Sequence, residues 1–242
     1  MSGELAGKVA LVTGVGRAGQ IGLAVARGLG RAGARVVIVG RDGAALDAHA
    51  RTLAAEGIDA RPAAADLTDP AAAAAAVAAA TTGCGGLDCV AHLAGGLVNY
   101  GPIEDTAVAR FDAEIAANLK TAFVVARAAV PALRARGGGA IVLFASLAAL
   151  RPATHLASYS AAKAGVAGLT RALARELRDQ RIRVNAIAPG MARTAENVAH
   201  ADPAAKTRWV ELDQIVAAVR YLVSDDAAAV TGQVLAVTAG DL

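Results

Sequence analysis

The sequence predicts an α/β fold, a doubly wound sheet of seven mainly parallel strands with helices on both faces. Three observations predict it. Short apolar runs alternate with helix-length segments along the whole chain. Those runs are near-continuously apolar rather than alternating, as strands covered on both faces are. A glycine-rich stretch, "TGVGRAGQIG" (13–22), joins the first run to the first helical segment.

The elements follow in order. "KVALVTG" (8–14) reads as a buried strand, and "IGLAVARGLGRAG" (21–33) as a helix ended by glycine. "ARVVIVG" (34–40) is a second buried strand. Residues 42–57 form a helix with Asp42 as its cap. Residues 59–67 hold a third strand. The low-complexity run "PAAAAAAVAAA" (70–80) reads as a helix, because alanine is the best helix former. "LDCVAHLAG" (87–95) is the fourth strand, and a long helix covers 110–136. "GAIVLFAS" (139–146) is the fifth strand, 158–180 a long helix, 182–190 the sixth strand and 233–240 the seventh. Parallel neighbours require right-handed crossovers.

Composition narrows the function. With 242 residues, 55% apolar and 19% charged, the chain can bury a sizeable core, and no linker divides it. Residues 1–242 are therefore read as one domain. The net charge of +3 is spread along the chain, so no nucleic-acid surface is expected. Cys84 and Cys89 have no metal-ligand spacing and are expected to be reduced thiols; no metal site is expected. The N-terminus lacks a secretory pattern and no run has transmembrane character, which predicts a cytoplasmic protein without a membrane partner.

In a doubly wound sheet the first strand-to-helix turn binds the pyrophosphate of a dinucleotide. Glycine lets the backbone approach the phosphates, and the helix start offers free N–H groups and a positive dipole end. Gly14, Gly16, Gly19 and Gly22 supply the permissive positions. Further along, Tyr159 and Lys163 stand four apart on a predicted helix and share a face. An ammonium beside a phenol favours the phenolate and lowers its pKa, which suits general acid–base chemistry.

The pattern Ser146…Tyr159-Ser-Ala-Ala-Lys163 stands with the opening "TG", "AHLAGG" (91–96), "NLKTAF" (118–123), "VNAIAPGMART" (184–194) and "VTGQVLAVTAG" (230–240). Together these resemble the short-chain dehydrogenase/reductase family across residues 6–241, in the family's order. The resemblance implies a Rossmann fold and a nicotinamide cofactor. It implies that Tyr159 is the general acid/base, that Lys163 also holds the nicotinamide ribose, and that Ser146 orients the substrate oxygen. Asn118 is similar to the family's asparagine that anchors a water leading to the lysine. By the same resemblance Asp66, with Leu67 beside it, meets the adenine edge, and Ala94 and Gly95 allow close cofactor approach. Pro189 and Gly190 turn against the nicotinamide, and Thr194 contacts its carboxamide. The family commonly forms tetramers, which implies a homotetramer or homodimer here.

Three departures stand out. The usual family loop is T-G-x-x-x-G-x-G, yet Gly14 and Gly22 lie two residues further apart, with Ile21 and Gly22 opening the helix. Gly16, Arg17, Ala18, Gly19 and Gln20 are all candidates for the phosphate-binding N–H groups. The family's N-N-A-G after the fourth strand is "HLAG", with His92 and Leu93 replacing two asparagines; a structural role is expected for His92. The segment after "PGMART" is a substrate lid, 191–216, carrying the only tryptophan, Trp209. Trp209 is expected to pack under it, and residues 95–105 are expected to form another part of the rim.

Cofactor choice is read at the end of the second strand. Gly40 stands where an acidic residue would bind a ribose 2′-hydroxyl, and Arg41 follows. A guanidinium there pairs with a 2′-phosphate, with Arg17 assisting, so NADP(H) is expected over NAD(H). The expected activity is interconversion of a ketone and a secondary alcohol. A 3-oxoacyl thioester and a small or cyclic ketone are the two candidate carbonyl substrates. Two alternatives remain: an enoyl reductase, suggested by the long glycine loop but opposed by the three residues between Tyr159 and Lys163, and a catalytically silent nucleotide sensor or scaffold.

Overall fold

Each half of the sheet's core is written into alternate residues of the same strand. In β1 (Val9–Thr13), Val9 and Leu11 enter one apolar cluster while Ala10 and Val12 enter the other. Strand residues alternate faces, so a strand covered on both sides must be apolar throughout. The computed structural model describes residues 3–201 and 208–240.

After β1 come α1 (Ile21–Arg31), β2 (Arg35–Gly40), α2 (Gly43–Ala55), β3 (Ala60–Ala64), α3 (Pro70–Cys84) and β4 (Cys89–His92). Then follow α4 (Val108–Ile115), α5 (Thr121–Ala135), β5 (Gly139–Phe144), α6 (Ala157–Glu176), β6 (Ile182–Pro189), α7 (Ala195–His200), α8 (Leu212–Val223) and β7 (Val234–Val237). Among the described residues the strands form one seven-stranded sheet in the order β3-β2-β1-β4-β5-β6-β7. Every pairing is parallel. Helices α3, α5 and α6 pack on one face and α1, α2 and α8 on the other. The chain reverses direction across the sheet between β1 and β4. In sheets of this kind ligands bind at such a reversal, outside the carboxyl ends of the strands.

Four details differ from the sequence reading. β3 is mostly exposed and contains Pro62, which a strand tolerates at the sheet edge, where this one lies. The helix expected over 110–136 is α4 and α5 joined by a π-helical turn, Ala116–Lys120. The helix expected over 158–180 ends its α-turns at Glu176. The lid expected over 191–216 is two things: its last residues begin α8, whose Ile215, Val219, Leu222 and Val223 are buried. A Cβ at Gly28 of α1 would lie 2.2 Å from Val216 Cγ1, so that end of the segment is core packing. Lid residues 202–207 lie outside the described residues, as do residues 1–2 and 241–242 of the expected domain.

The stretch Val108–Ala135 is long and apolar enough to cross a membrane. Its Ala122, Val125, Ala126, Ala129 and Leu133 are buried against the sheet, so its apolarity serves the core. Cys84 and Cys89 are both free and buried. Burial pushes the Cys89 thiol up to about 12.

Candidate active site

α6 carries Tyr159 and Lys163 to the carboxyl end of β5, one helical turn apart on one face. The Lys163 ammonium lies 5.7 Å from the centroid of the Tyr159 ring. Its Nζ donates to the Phe144 carbonyl at 2.8 Å, at the end of β5. Ser146, two residues later, accepts from Ala148 N at 3.2 Å. Asn118 sits in the π-helical turn, a feature frequent at functional sites. Its Oδ1 accepts from Gly96 N at 3.0 Å and its Nδ2 donates to Gly96 O at 2.9 Å. A Cβ at Gly95 would lie 2.5 Å from Asn118 Oδ1, so this crossing tolerates no side chain.

The electrostatics are set by burial. Burial raises the Tyr159 phenol above its ordinary value; the Ser146 hydroxyl works the other way and the Glu114 charge adds to the rise. The lowering expected from Lys163 is not among the causes of the shift, which burial sets. Burial pushes the Lys163 ammonium down to about 8, with Glu114 opposing the change. At neutral pH the pair is a protonated phenol beside a protonated amine.

The glycine loop has the shape of an anion cradle. Gly14 has φ +74°, and a Cβ on it would lie 2.6 Å from Ala94 N and from Leu93 C. A Cβ on Gly22 would lie 2.3 Å from Gly14 O. Gly16 differs, since a Cβ there meets nothing within 4 Å. Its lack of a side chain leaves open space rather than serving packing. α1 starts at Ile21 with no side-chain cap from Gln20 and no acidic residue in its first turn. Orphan N–H groups and a positive dipole end suit phosphate. The residues present thus fit a dinucleotide.

Around the loop, Arg41 is exposed just past β2 and its charge acts on Asp66. Asp42 caps α2, its Oδ1 accepting from Ala45 N at 3.1 Å. Asp66 accepts from both the amide and the hydroxyl of Thr68, which lowers its pKa. The Leu67 side chain is buried in the core, so only its backbone can meet an adenine. Arg17 and Gln20 both reach Glu196 on α7, at 3.1 and 3.0 Å, and Ala195 N donates to Gly19 O. The loop is thus latched to the lid helix. His49 of α2 bonds the Gly16 carbonyl. Sequence reading missed both His49 and Glu196; neither has a spacing signal.

His92 takes a structural place at the end of β4. It is buried between Thr13 Oγ1 at 2.9 Å and Thr121 Oγ1 at 3.3 Å. Thr13 Oγ1 also accepts from Leu93 N and Ala94 N, at 3.1 and 3.3 Å. That hydroxyl therefore satisfies the backbone groups left by the missing asparagines. The network assigns the proton to Nε2: Thr13 donates to Nδ1, and Nε2–H donates to Thr121. Burial pushes the His92 pKa from 6.5 to about 3, with the Lys163 charge adding to the fall. The unfolded chain therefore takes up a proton near pH 6.5 that the folded chain refuses down to about pH 3. Stability present in full above pH 6.5 is lost as pH falls through that window, by up to about 1.4 kcal/mol per pH unit. Urea melts between pH 7 and 4 check this: H92N is expected to lose less stability over that range than the wild type.

Pro189, Gly190 and Thr194 lie between the carboxyl end of β6 and the start of α7. Pro189 ends β6, Gly190 N bonds Val237 O, and Thr194 caps α7 by accepting from Asn197 N at 3.1 Å. Trp209 is half-buried under Arg193, whose guanidinium lies 5.1 Å from its ring. On the near rim, Tyr100 meets His155 edge-on, ring centroids 5.5 Å apart. Among the described residues no group of three or more His, Cys, Asp or Glu is placed to hold a metal.

Known proteins resemble this chain over nearly its whole length. The family model described as short chain dehydrogenase matches residues 8–204. The dehydrogenase/reductase SDR family member 4 of Oryctolagus cuniculus is 33% identical over 98% of this chain and 94% of its own. A 3-alpha-(or 20-beta)-hydroxysteroid dehydrogenase of Mycobacterium bovis is 36% identical over 99% of this chain and 91% of its own. A solved 7 alpha-hydroxysteroid dehydrogenase complexed with NADH and 7-oxo glycochenodeoxycholic acid superposes with a TM-score of 0.91. It is 28% identical and covers 98% of this chain and 94% of that one.

Proposed function

The chain belongs to the short-chain dehydrogenase family, and from that premise we propose that it is an NADP(H)-dependent oxidoreductase interconverting a ketone and a secondary alcohol. The observation that carries the reading is the meeting of Tyr159, Lys163 and Ser146 at the end of β5, with Asn118 on the adjoining π-turn. The nicotinamide, when bound, supplies the hydride. Ser146 holds the carbonyl oxygen by hydrogen bond. Tyr159 gives that oxygen its phenolic proton, and the proton is restored through Lys163 and a water held at Asn118. The loop 14–22, Arg41, Asp66, Leu67, Ala94, Gly95, Pro189, Gly190 and Thr194 hold the dinucleotide.

NADP(H) is preferred on two grounds. No acidic residue ends β2, and Asp42, the nearest carboxylate in the chain, is engaged as the cap of α2. A 2′-phosphate on Arg41 adds charge-assisted hydrogen bonds of about 1.5–3 kcal/mol, or about 10- to 150-fold in affinity. Arg41→Ala is therefore expected to raise the KM for NADPH about that much and leave the KM for NADH unchanged.

A relative and a solved neighbour act on or bind steroid-type compounds by name, which supports a cyclic ketone as the substrate class. The deciding experiment follows NADPH and NADH consumption against 3-oxoacyl thioesters, cyclic ketones, diketones and aldehydes. Turnover of one carbonyl class with NADPH upholds the reading. Turnover with NADH alone would overturn the role given to Arg41. Silence with cofactor bound would return the sensor or scaffold alternative. Exposed Val108, Phe111 and Phe123 along α4 and α5 support self-association as a homotetramer or homodimer.

A further inference from the structure

Glu114 is a polar residue where α4 faces the interior, and none of its side chain is exposed. Burying a carboxylate is costly unless its oxygens are satisfied. Here they are. Oε2 accepts from Val98 N at 3.0 Å and from Asn99 N at 2.8 Å. Oε1 accepts from Asn118 Nδ2 at 2.8 Å. Glu114 and Asn118 are four apart on adjoining helical turns, so their side chains meet. One oxygen thus grips the loop between β4 and α4, and the other grips the asparagine that also pairs with Gly96 of the same loop.

We propose that Glu114 is a positioning residue of this site: its carboxylate holds the pocket loop 96–99 and Asn118 as one unit and sets a fixed negative charge facing Lys163. The proposal rests on the reductase reading and adds a residue to it.

Only an ionised carboxylate fits this arrangement. All three partners are donors, and a carboxylate is acceptor-only. A glutamine would aim its NH₂ either at the Val98 and Asn99 amides or at Asn118 Nδ2, donor against donor. An aspartate is one methylene short of spanning both. The contact ties Asn118 to the carboxylate as well as to two backbone carbonyls, Gly96 O and Glu114 O, that its Nδ2 also meets. The charge matters as well. Among the described residues no direct ion pair joins Glu114 to Lys163; the carboxylate acts through the enclosed interior, where screening is weak. The charged and titratable groups that act at Lys163 are Tyr159 on its own helix, Glu114 on α4 and His92 on β4. His92 is neutral above about pH 3, which leaves Glu114 as the counter-charge that favours the ammonium.

The test begins without mutation. By amide hydrogen exchange in the wild-type protein, Gly96, Val98 and Asn99 are expected to exchange at least tenfold more slowly than Leu97 and Tyr100. The latter two amides have no acceptor among the described residues. Equal exchange across 96–100 would overturn the clamp, and this arm needs no turnover. E114Q is then compared with the wild type in exchange, dinucleotide affinity and kinetics. Expected are faster exchange at 98 and 99, dinucleotide Kd within about threefold, and kcat lowered about tenfold or more. The alkaline limb of the kcat profile is expected at lower pH, because Lys163 loses its counter-charge. An unchanged kcat and limb would overturn the positioning role. Should E114Q fail to fold, E114A, which removes the donor–donor clash, carries the same readouts. A wild type that turns over no carbonyl would overturn the reductase reading instead, and the exchange pattern would still decide the clamp.

Discussion

Tyr159→Phe is expected to retain dinucleotide affinity and melting temperature while losing about 10²- to 10⁴-fold in kcat, the usual worth of a positioned general acid. The reasons are local. Phenylalanine keeps the ring that packs on α6 and removes only the hydroxyl, so α6 and Lys163 stay in place. No other hydroxyl acid is assigned to the carbonyl oxygen; Ser146 has an ordinary serine hydroxyl, too weak an acid to replace the phenol. The raised pKa of Tyr159 adds a directional consequence. A phenol held above its usual value is protonated at neutral pH and ready to donate to a carbonyl. The phenolate needed to take a proton from an alcohol is correspondingly scarce. Ketone reduction is therefore expected to run near pH 7, whereas alcohol oxidation should rise steadily with pH until the phenol ionises. Initial rates in both directions across pH 6–10 check this. Near-normal turnover by the phenylalanine variant would sink the assigned chemistry.

How much of this was legible in the sequence depends on the range of the interaction. β1, β2 and β5 were legible because burial on both faces demands apolar runs, and β6 was legible although Arg183 and Asn185 interrupt its run. β3 was placed, but its exposure was not, since edge position is a property of strand order rather than of composition. Tyr159 and Lys163 were legible because four-residue spacing fixes a shared helical face. Glu114 and Asn118 offered the same signal, an i, i+4 polar pair on an inward face, and only Asn118 was read. The contacts that join distant segments left no local trace: Thr13 beneath His92, His49 on the Gly16 carbonyl, and Arg17 with Glu196. Arg17 shows the cost of reasoning locally. Its place in the glycine loop suggested a 2′-phosphate, and in the structure its guanidinium lies against a residue 179 positions away. The lid's overlap with α8 was hidden for the same reason, because Val216 is core only by its contact with Gly28.

The glycine loop yields the last prediction, a pair of single-methyl substitutions that separate scaffold from ligand. Gly14→Ala is expected to destabilise the fold by about 2–5 kcal/mol. About 1–2 kcal/mol of that comes from forcing alanine into left-handed backbone at φ +74°. A further 1–3 kcal/mol or so comes from overpacking, because the new methyl would meet the Leu93 and Ala94 backbone at 2.6 Å. Neither partner is the end of a flexible side chain, so β1 and β4 must separate where the sheet reverses. Gly16→Ala is expected to melt with the wild type, since its φ is unstrained and its methyl meets nothing within 4 Å. Its cost appears only when phosphate must occupy that space: dinucleotide affinity is expected to fall about tenfold or more, as for one ill-placed methyl against a close-packed ligand. Thermal melts with and without NADPH, together with fluorescence titration, read both effects. A Gly16→Ala protein that binds dinucleotide normally would mean that the loop is a turn and that the phosphates lie elsewhere along the α1 terminus.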